Sequence, residues 1–500
     1  MNDTCEYPLK IAEKRHQVWK YFLVVLSAWP PVFTAGQKND SLEIVINTTA
    51  TTAAKSYQPL WLTANRFNSI SEQKTDLAVA VSIWNQVPLN FLHWHLTDSS
   101  GPRYPILSYG LGIENNNHFK TFFLQEYFVK IGRKRWLISA GRYRETTGAN
   151  DADLSTGSLG ISSNALPVPK ISVGSNNYVD VPFSNGWVQL KVQIAHGWFG
   201  ANRYTKNSLL HEKLLYIRLG KKRFRFFGGL QHFVEWAGSR EGREYDHSWE
   251  NFFNVFLGKE LKGDGAPQNT ALLPNREGDQ RAVVEWGFDY DLPHFLVHFY
   301  HQTPLENAQG IHLLNNRLAG VGIQPKEAVW LKRMVFEFIS TVQTDDNYPA
   351  LYRQSFYNNG VYRSGWDYHD RIIGTPLFIN RQRASKYFPG VPPFNPDAAP
   401  DSLSSLNNIY INNVVGGHIG VMLGNNNLNT RTLVTYTRNH NLVNGRSYNQ
   451  WYTLQEVSYR LLKQRLTATV AIAFDAGELT KNIGLLAGIE WHFANNTRIR

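Results

Sequence analysis

The densest concentration of side chains able to do chemistry lies between Arg363 and Gly374, where Arg363, Trp366, Asp367, Tyr368, His369, Asp370 and Arg371 crowd into one short stretch. Trp366 and Tyr368 offer flat faces on which a sugar ring can stack. Arg363 and Arg371 are planar forks that match the carboxylates of acidic sugars. A second reading stays open: the cations and acids pair with one another inside the fold and lock the surrounding wall. Lys170 follows Pro167 and Pro169, which stiffen the chain into a turn or an inward-folded loop, and it joins the glycan candidates as an interior cation. His93 and His95 share a strand face at a spacing that suits a metal, but no third ligand stands near them. Asp345 and Asp346 are a carboxylate pair, yet glycosidase chemistry depends on a separation in space that sequence does not give. The chain has no G-x-S-x-G elbow, no H-E-x-x-H and no phosphate-cradling glycine loop. The expectation is a binding protein, not an enzyme, with no cofactor and no metal.

The elements that must carry these residues read as strands. Ile483, Leu485, Ala487, Ile489, Trp491 and Phe493 alternate with Gly484, Leu486, Gly488, Glu490 and His492, so one face is apolar and the other mostly small or polar. That length crosses a bilayer as a tilted strand, with Trp491 and Phe493 where an interfacial girdle would sit. Val188, Leu190, Val192 and Ile194 alternate with Gln189, Lys191 and Gln193 in the same way, and Phe224, Phe226 and Leu230 oppose Arg223, Arg225 and Gln231. Hairpin turns are expected at Gly132–Lys134 and Gly220–Lys222. Short turns alternate with long polar segments such as Gly238–Arg281, Asp345–Leu377 and Tyr387–Asn408, as when turns face the periplasm and loops face outside. Lys191, Arg225 and Glu337 place charge in mid-strand, where a soluble β-core would be dry, which fits a barrel with a wet lumen and leaves open whether that lumen is plugged. No helical period stands out, and the chain has room for roughly 16–20 strands.

The N-terminus reads as an export signal: Arg15, His16 and Lys20 precede an apolar run at Tyr21–Phe33, then Thr34, Ala35 and Gly36. No other run is long and apolar enough to span a membrane as a helix, so insertion must be as a barrel. Cys5 is the only cysteine and falls in the segment to be removed, which leaves no disulfide framework and no thiolate site. Net charge is +11 and aromatics make up 13% of the chain, a load that suits girdles and sugar-stacking surfaces. With no nucleic-acid-binding spacing, the basic balance points to an anionic glycan or lipopolysaccharide.

One ordered set of motifs resembles a known family. Gln58–Trp61, Gly141-Arg142, Leu154–Ser172, Asp180–Trp187, His196–Phe199, Leu210–Lys213, Trp236–Gly238 and Gly365–Gly374 are similar, in order, to the Wzi family of capsule-assembly proteins, in its Bacteroidetes-type branch. The resemblance implies an all-β fold: a single outer-membrane antiparallel β-barrel of about 18 strands with long external loops. It implies a lectin-like protein, not a catalyst, that helps hold capsular or exopolysaccharide on the cell surface of a Gram-negative bacterium. The helical bundle that better-known members carry at one barrel end is not legible here. Gly488, Trp491 and Phe493 resemble the terminal signal read by the barrel-assembly machinery, although Leu486 and a tail past Phe493 depart from it. The expected organisation is a signal peptide at 1–36, a flexible lead-in at 37–56, the barrel at 57–493 and a tail at 494–500. The rival readings are a porin or sugar-selective channel, and a secreted β-rich lectin or glycosidase.

Overall fold

Alternating outward apolar and inward mixed side chains close into one barrel. The computed structural model describes residues 42–89, 104–259, 278–306, 315–327, 330–343, 356–462 and 465–494. The export segment, His93 and His95, Asp345 and Asp346, and the tail beyond Ala494 lie outside the described residues. A 19-segment sheet fills 18 strand positions, because Lys170–Ser175 and Val179–Asp180 pair in turn with the same strand, Val188–Gly200. Every pairing is antiparallel, and closure comes from Glu43–Tyr57, which pairs with Gln73–Pro88 on one side and Lys481–Ala494 on the other.

That closure corrects the expected lead-in. Residues 43–56 are a barrel strand, so the barrel begins at Glu43 and not at residue 57. Its Thr and Ala run carries little contrast in hydropathy, which hides the alternation, while β-branched Thr suits a strand paired on both edges. At the other end the strand Lys481–Ala494 behaves as read. Ile483, Leu485, Ile489, Trp491 and Phe493 face outward and exposed, and the Trp491 and Phe493 rings stack 5.4 Å apart. Leu486, the departure from the terminal pattern, is buried on the inward face in the central apolar cluster.

Because all strands are antiparallel, connections alternate between the two ends. One end carries short turns, including the two-residue turns at 134–135 and 222–223, whose first residues Lys134 and Lys222 have φ of 57° and 62°. Glu43 and Ala494 also lie at this end, and exposed Trp136, Trp187, Phe224, Phe295 and Trp330 ring it. The opposite end carries the long connections 58–72, 143–169, 237–278 and 341–412. Short helices occur within them at Trp249–Leu257 and Arg381–Tyr387, which the sequence reading did not find.

The lumen corrects a second expectation. Three connections, 58–72, 143–169 and 356–412, fold inward and pack Trp61, Leu154, Leu159, Trp366 and Phe378 against inward wall residues such as Phe233, Leu318 and Leu433. The space expected to hold water is a hydrophobic core. Glycines on the wall make room for it: a Cβ on Gly420 would stand 2.4 Å from the Leu154 carbonyl oxygen. Lys191 and Arg225, nearer the short-turn end, remain half-buried.

Candidate functional site

A loop drawn into a barrel brings backbone donors and acceptors out of reach of bulk water, and these need partners. The polar inward side chains supply them. Glu337 accepts from Ser155 Oγ and the Thr156 amide, both at 2.6 Å, and from the Tyr300 hydroxyl. Gln302 Oε1 accepts from the Leu159 amide at 2.9 Å, and Glu285 Oε1 from the Ala149 amide at 2.9 Å. His418 Nε2 lies 2.6 Å from the Leu154 carbonyl oxygen. The segment 143–169 is therefore held by its main chain, along its length, from several strands.

The stretch 365–374 hangs inside the same core. Asp367–Tyr368 pairs with Arg371–Ile372 in a hairpin whose two turn residues, His369 and Asp370, both have positive φ, at 51° and 62°. Trp366 is fully buried; its Nε1–H donates to the Gly160 carbonyl at 2.7 Å, and the Arg281 guanidinium lies 4.7 Å from its ring centroid. Tyr368 is buried, and its hydroxyl accepts from Arg142 Nη2 at 3.1 Å. Arg371 donates to Glu72 Oε1 at 2.6 Å, to Asn68 Oδ1 and the Ile70 carbonyl at 3.1 Å, and to Thr63 Oγ1 at 3.2 Å. Burial pushes the Glu72 carboxyl up, but the neighbouring Arg371 and Arg383 outweigh it and hold the group below its usual range. At Asp367 the balance goes the other way, because burial outweighs the pull of Arg203 and Arg371. The Asp367 carboxyl accepts from Asn380 Nδ2 at 2.8 Å, and burial, with Asp370 adding, pushes it up to about 7.

Of the glycan candidates, then, Trp366, Asp367, Tyr368 and Arg371 are interior locks, their faces and donors already used. Lys170 is interior as well, buried between Glu145 at 2.7 Å and Glu212 at 2.6 Å. His369 is exposed, and Arg363 is half-exposed at the long-loop rim. Arg363 donates to the Pro400 carbonyl at 2.6 Å, and its guanidinium lies 4.9 Å from the Tyr204 ring centroid. Arg240 covers the same ring at 3.8 Å and donates to the carbonyls of Pro396 and Ala398 at 2.7 and 2.8 Å. Beside them is an open depression of about 340 Å³ lined by Lys206, Arg240, Glu241 and Asp397, with Lys206 bridging to Asp397 at 2.7 Å. Sequence reasoning missed this group, because its members come from three loops far apart in the chain.

The model of the family described as capsule assembly protein Wzi matches residues 47–383. The chain belongs to this family. The matched span runs from the first barrel strand into the helix Arg381–Tyr387, so the Wzi-family region includes two inward connections whole and the part of the third that holds the Asp367–Ile372 hairpin. Among solved structures, the chain is similar to an Escherichia coli outer-membrane protein involved in group 1 capsule assembly, described as a carbohydrate-binding β-barrel. The two share 13% identity over 97% of this chain and 89% of that one, with a TM-score of 0.54, which shows a common fold. Acinetobacter baumannii OccAB4 aligns at 9% identity over 92% of this chain and 99% of that one, with a TM-score of 0.49. No curated protein matches by sequence.

Proposed function

We propose that this Wzi-family barrel is a lectin-like, non-catalytic outer-membrane protein that retains or organises capsular or exopolysaccharide at the cell surface. The observation that carries the reading is the lumen: in a chain of a capsule-assembly family, three connections fill it and their backbones are bonded to the wall. A polysaccharide is then held at the long-loop rim and does not pass through the barrel. The rim depression lined by Lys206 and Arg240, with Arg363 beside it on the same Tyr204 ring, is the proposed contact. Lys206 keeps its charge near the surface, and the net charge of +11 favours an anionic chain. His369 is the second exposed candidate.

Export through residues 1–36, recognition of Gly488, Trp491 and Phe493 by the barrel-assembly machinery, and contact with outer-membrane lipid and lipopolysaccharide belong to the same proposal. Two experiments test it together. The refolded barrel in a planar bilayer should give no large open-channel steps, and it should bind purified anionic capsule with an affinity that falls in the Lys206→Glu, Arg240→Glu double variant. Large steps with no capsule binding would mean a porin.

A further inference from the structure

The connection 237–278 does something none of the inward segments does: its helix Trp249–Leu257 packs against the outside of the barrel wall. On the strand Ser208–Lys221, Glu212 and Tyr216 reach interior partners, so His211 and Lys213, of opposite parity, face outward. The helix covers that outer surface. The Phe252 ring lies 5.4 Å from His211, 5.9 Å from His196 and 6.0 Å from Trp236, and Lys213 Nζ donates to the Phe256 carbonyl. Val255 is fully buried in a cluster with Val234, Trp236 and Ala237. Both ends of the helix are fixed: Ser248 Oγ accepts from the Asn251 amide at 3.2 Å, and Gly258 closes it at φ 65°.

Only half of the helix's apolar arc is used in this way. Trp249, Phe253 and Leu257, at four-residue spacing on one stripe, are 78%, 57% and 62% exposed. The register of the wall shows what lies beside them. Climbing from the short-turn end, the outward row Val192–Leu215–Leu230 is wholly apolar. The next row is Ile194–Lys213–His232, and the one above is His196–His211–Val234. The lipid-facing band therefore ends at Lys213 and His232 on this arc, and the helix rests on the row above that border. Trp236, placed where an upper girdle aromatic would stand, is covered by the helix, and Trp249 and Phe253 are presented in its stead.

We infer that the helix Trp249–Leu257 is an in-plane membrane anchor whose stripe Trp249, Phe253 and Leu257 enters the headgroup and acyl boundary of the outer-leaflet lipid, continuous with the lipid-facing wall. Glu250, exposed and about 100° round the helix from Trp249 and about 60° from Phe253, turns to water. This is the geometry of an interfacial amphipathic helix, with Trp, Phe and Leu on its buried side. Because Arg240 precedes the helix in the same connection, the anchor also fixes one wall of the rim depression relative to the bilayer.

The test uses the full chain with Cys5→Ser, refolded into phosphatidylcholine bilayers, with a nitroxide attached at Phe253→Cys or, separately, at Glu250→Cys. Collision of the label with oxygen and with a water-soluble nickel chelate is read by electron paramagnetic resonance. Oxygen should dominate at position 253 and the nickel chelate at position 250. Nickel-chelate dominance at both positions would overturn the proposal by placing the stripe in water. Shielding of position 253 from both reagents would overturn it too, because protein, such as a second copy of this chain, would then cover the stripe. Heat-modifiable migration confirms that each labelled barrel is folded, and Trp249→Cys replaces Phe253→Cys if that variant fails to fold, with the same expected outcome.

Discussion

Replacing Arg203 with alanine should release the inward segment 356–412 while the barrel wall stays folded. The Arg203 and Glu235 side chains are 3% and 1% exposed and meet as a fork, with contacts of 2.9 and 2.6 Å. Arg203 also donates to the Gly365 carbonyl at 2.8 Å and to the Asp367 carbonyl, so one guanidinium ties the wall to the hairpin. Without it, Glu235 keeps only the Ser208 hydroxyl among these contacts. Removing one partner of a buried pair costs about 3–5 kcal/mol, because the other charge is left uncompensated. Undocking lets water reach Glu235, so the cost falls on the docked state and raises the undocked fraction by roughly two to four powers of ten.

Limited trypsin digestion reads that fraction, since cleavage at a buried site tracks the open population when reclosing is fast. The reporters are Arg371 and Arg383, whose side chains are 6% and 9% exposed. Cutting there should accelerate by about two powers of ten or more, with heat-modifiable migration retained. Arg203→Met combined with Glu235→Leu should bring the rate most of the way back, because no unpaired charge remains. An unchanged cleavage rate in Arg203→Ala would refute the claim that this pair holds the segment in place.

Other consequences follow from the same geometry. Asp367, raised to about 7 from an ordinary 3.8, favours the docked state fully below about pH 4 and loses that contribution as pH rises through about 7, a span worth on the order of 4 kcal/mol. Trypsin should therefore cut the segment faster at pH 8 than at pH 5, and Asp367→Asn should flatten that difference; an undiminished difference would clear Asp367 of the role. Gly420→Val should lower stability by about 1–3 kcal/mol through overpacking against Leu154, and an unshifted melting curve would contradict that close approach. Ile489, outward and 55% exposed in mid-strand, should cost about 2–4 kcal/mol when replaced by Arg in a bilayer, whereas a surface facing water would tolerate the change.

The parts of the fold legible in the sequence were those where one face meets lipid. Val188–Ile194, Phe224–Leu230 and Ile483–Phe493 show their alternation because outward positions must be apolar whatever lies inside. Glu43–Tyr57 escaped because Thr and Ala serve either face, and only closure of the sheet reveals the strand. The filled lumen escaped for a different reason. A mid-strand Glu337 has the same pattern whether its partner is water or the backbone of an inward loop, and that partner lies far away in the chain. Trp366 and Arg371 likewise suit a sugar platform or a core equally well by residue type, and burial decides between them. The rim depression has no local spacing to detect, since Lys206, Arg240 and Asp397 meet only in the folded chain. The helix Trp249–Leu257 is short, and its stripe was passed over inside a segment read as a polar loop.

The central claim is that this barrel keeps polysaccharide on the cell. Deleting the gene and comparing cell-bound with shed polysaccharide tests it most directly. The account predicts that total polysaccharide is maintained while the cell-bound share falls, and that the Lys206→Glu, Arg240→Glu variant, present at normal level in the outer membrane, fails to restore it. Unchanged attachment in the deletion strain would contradict the account.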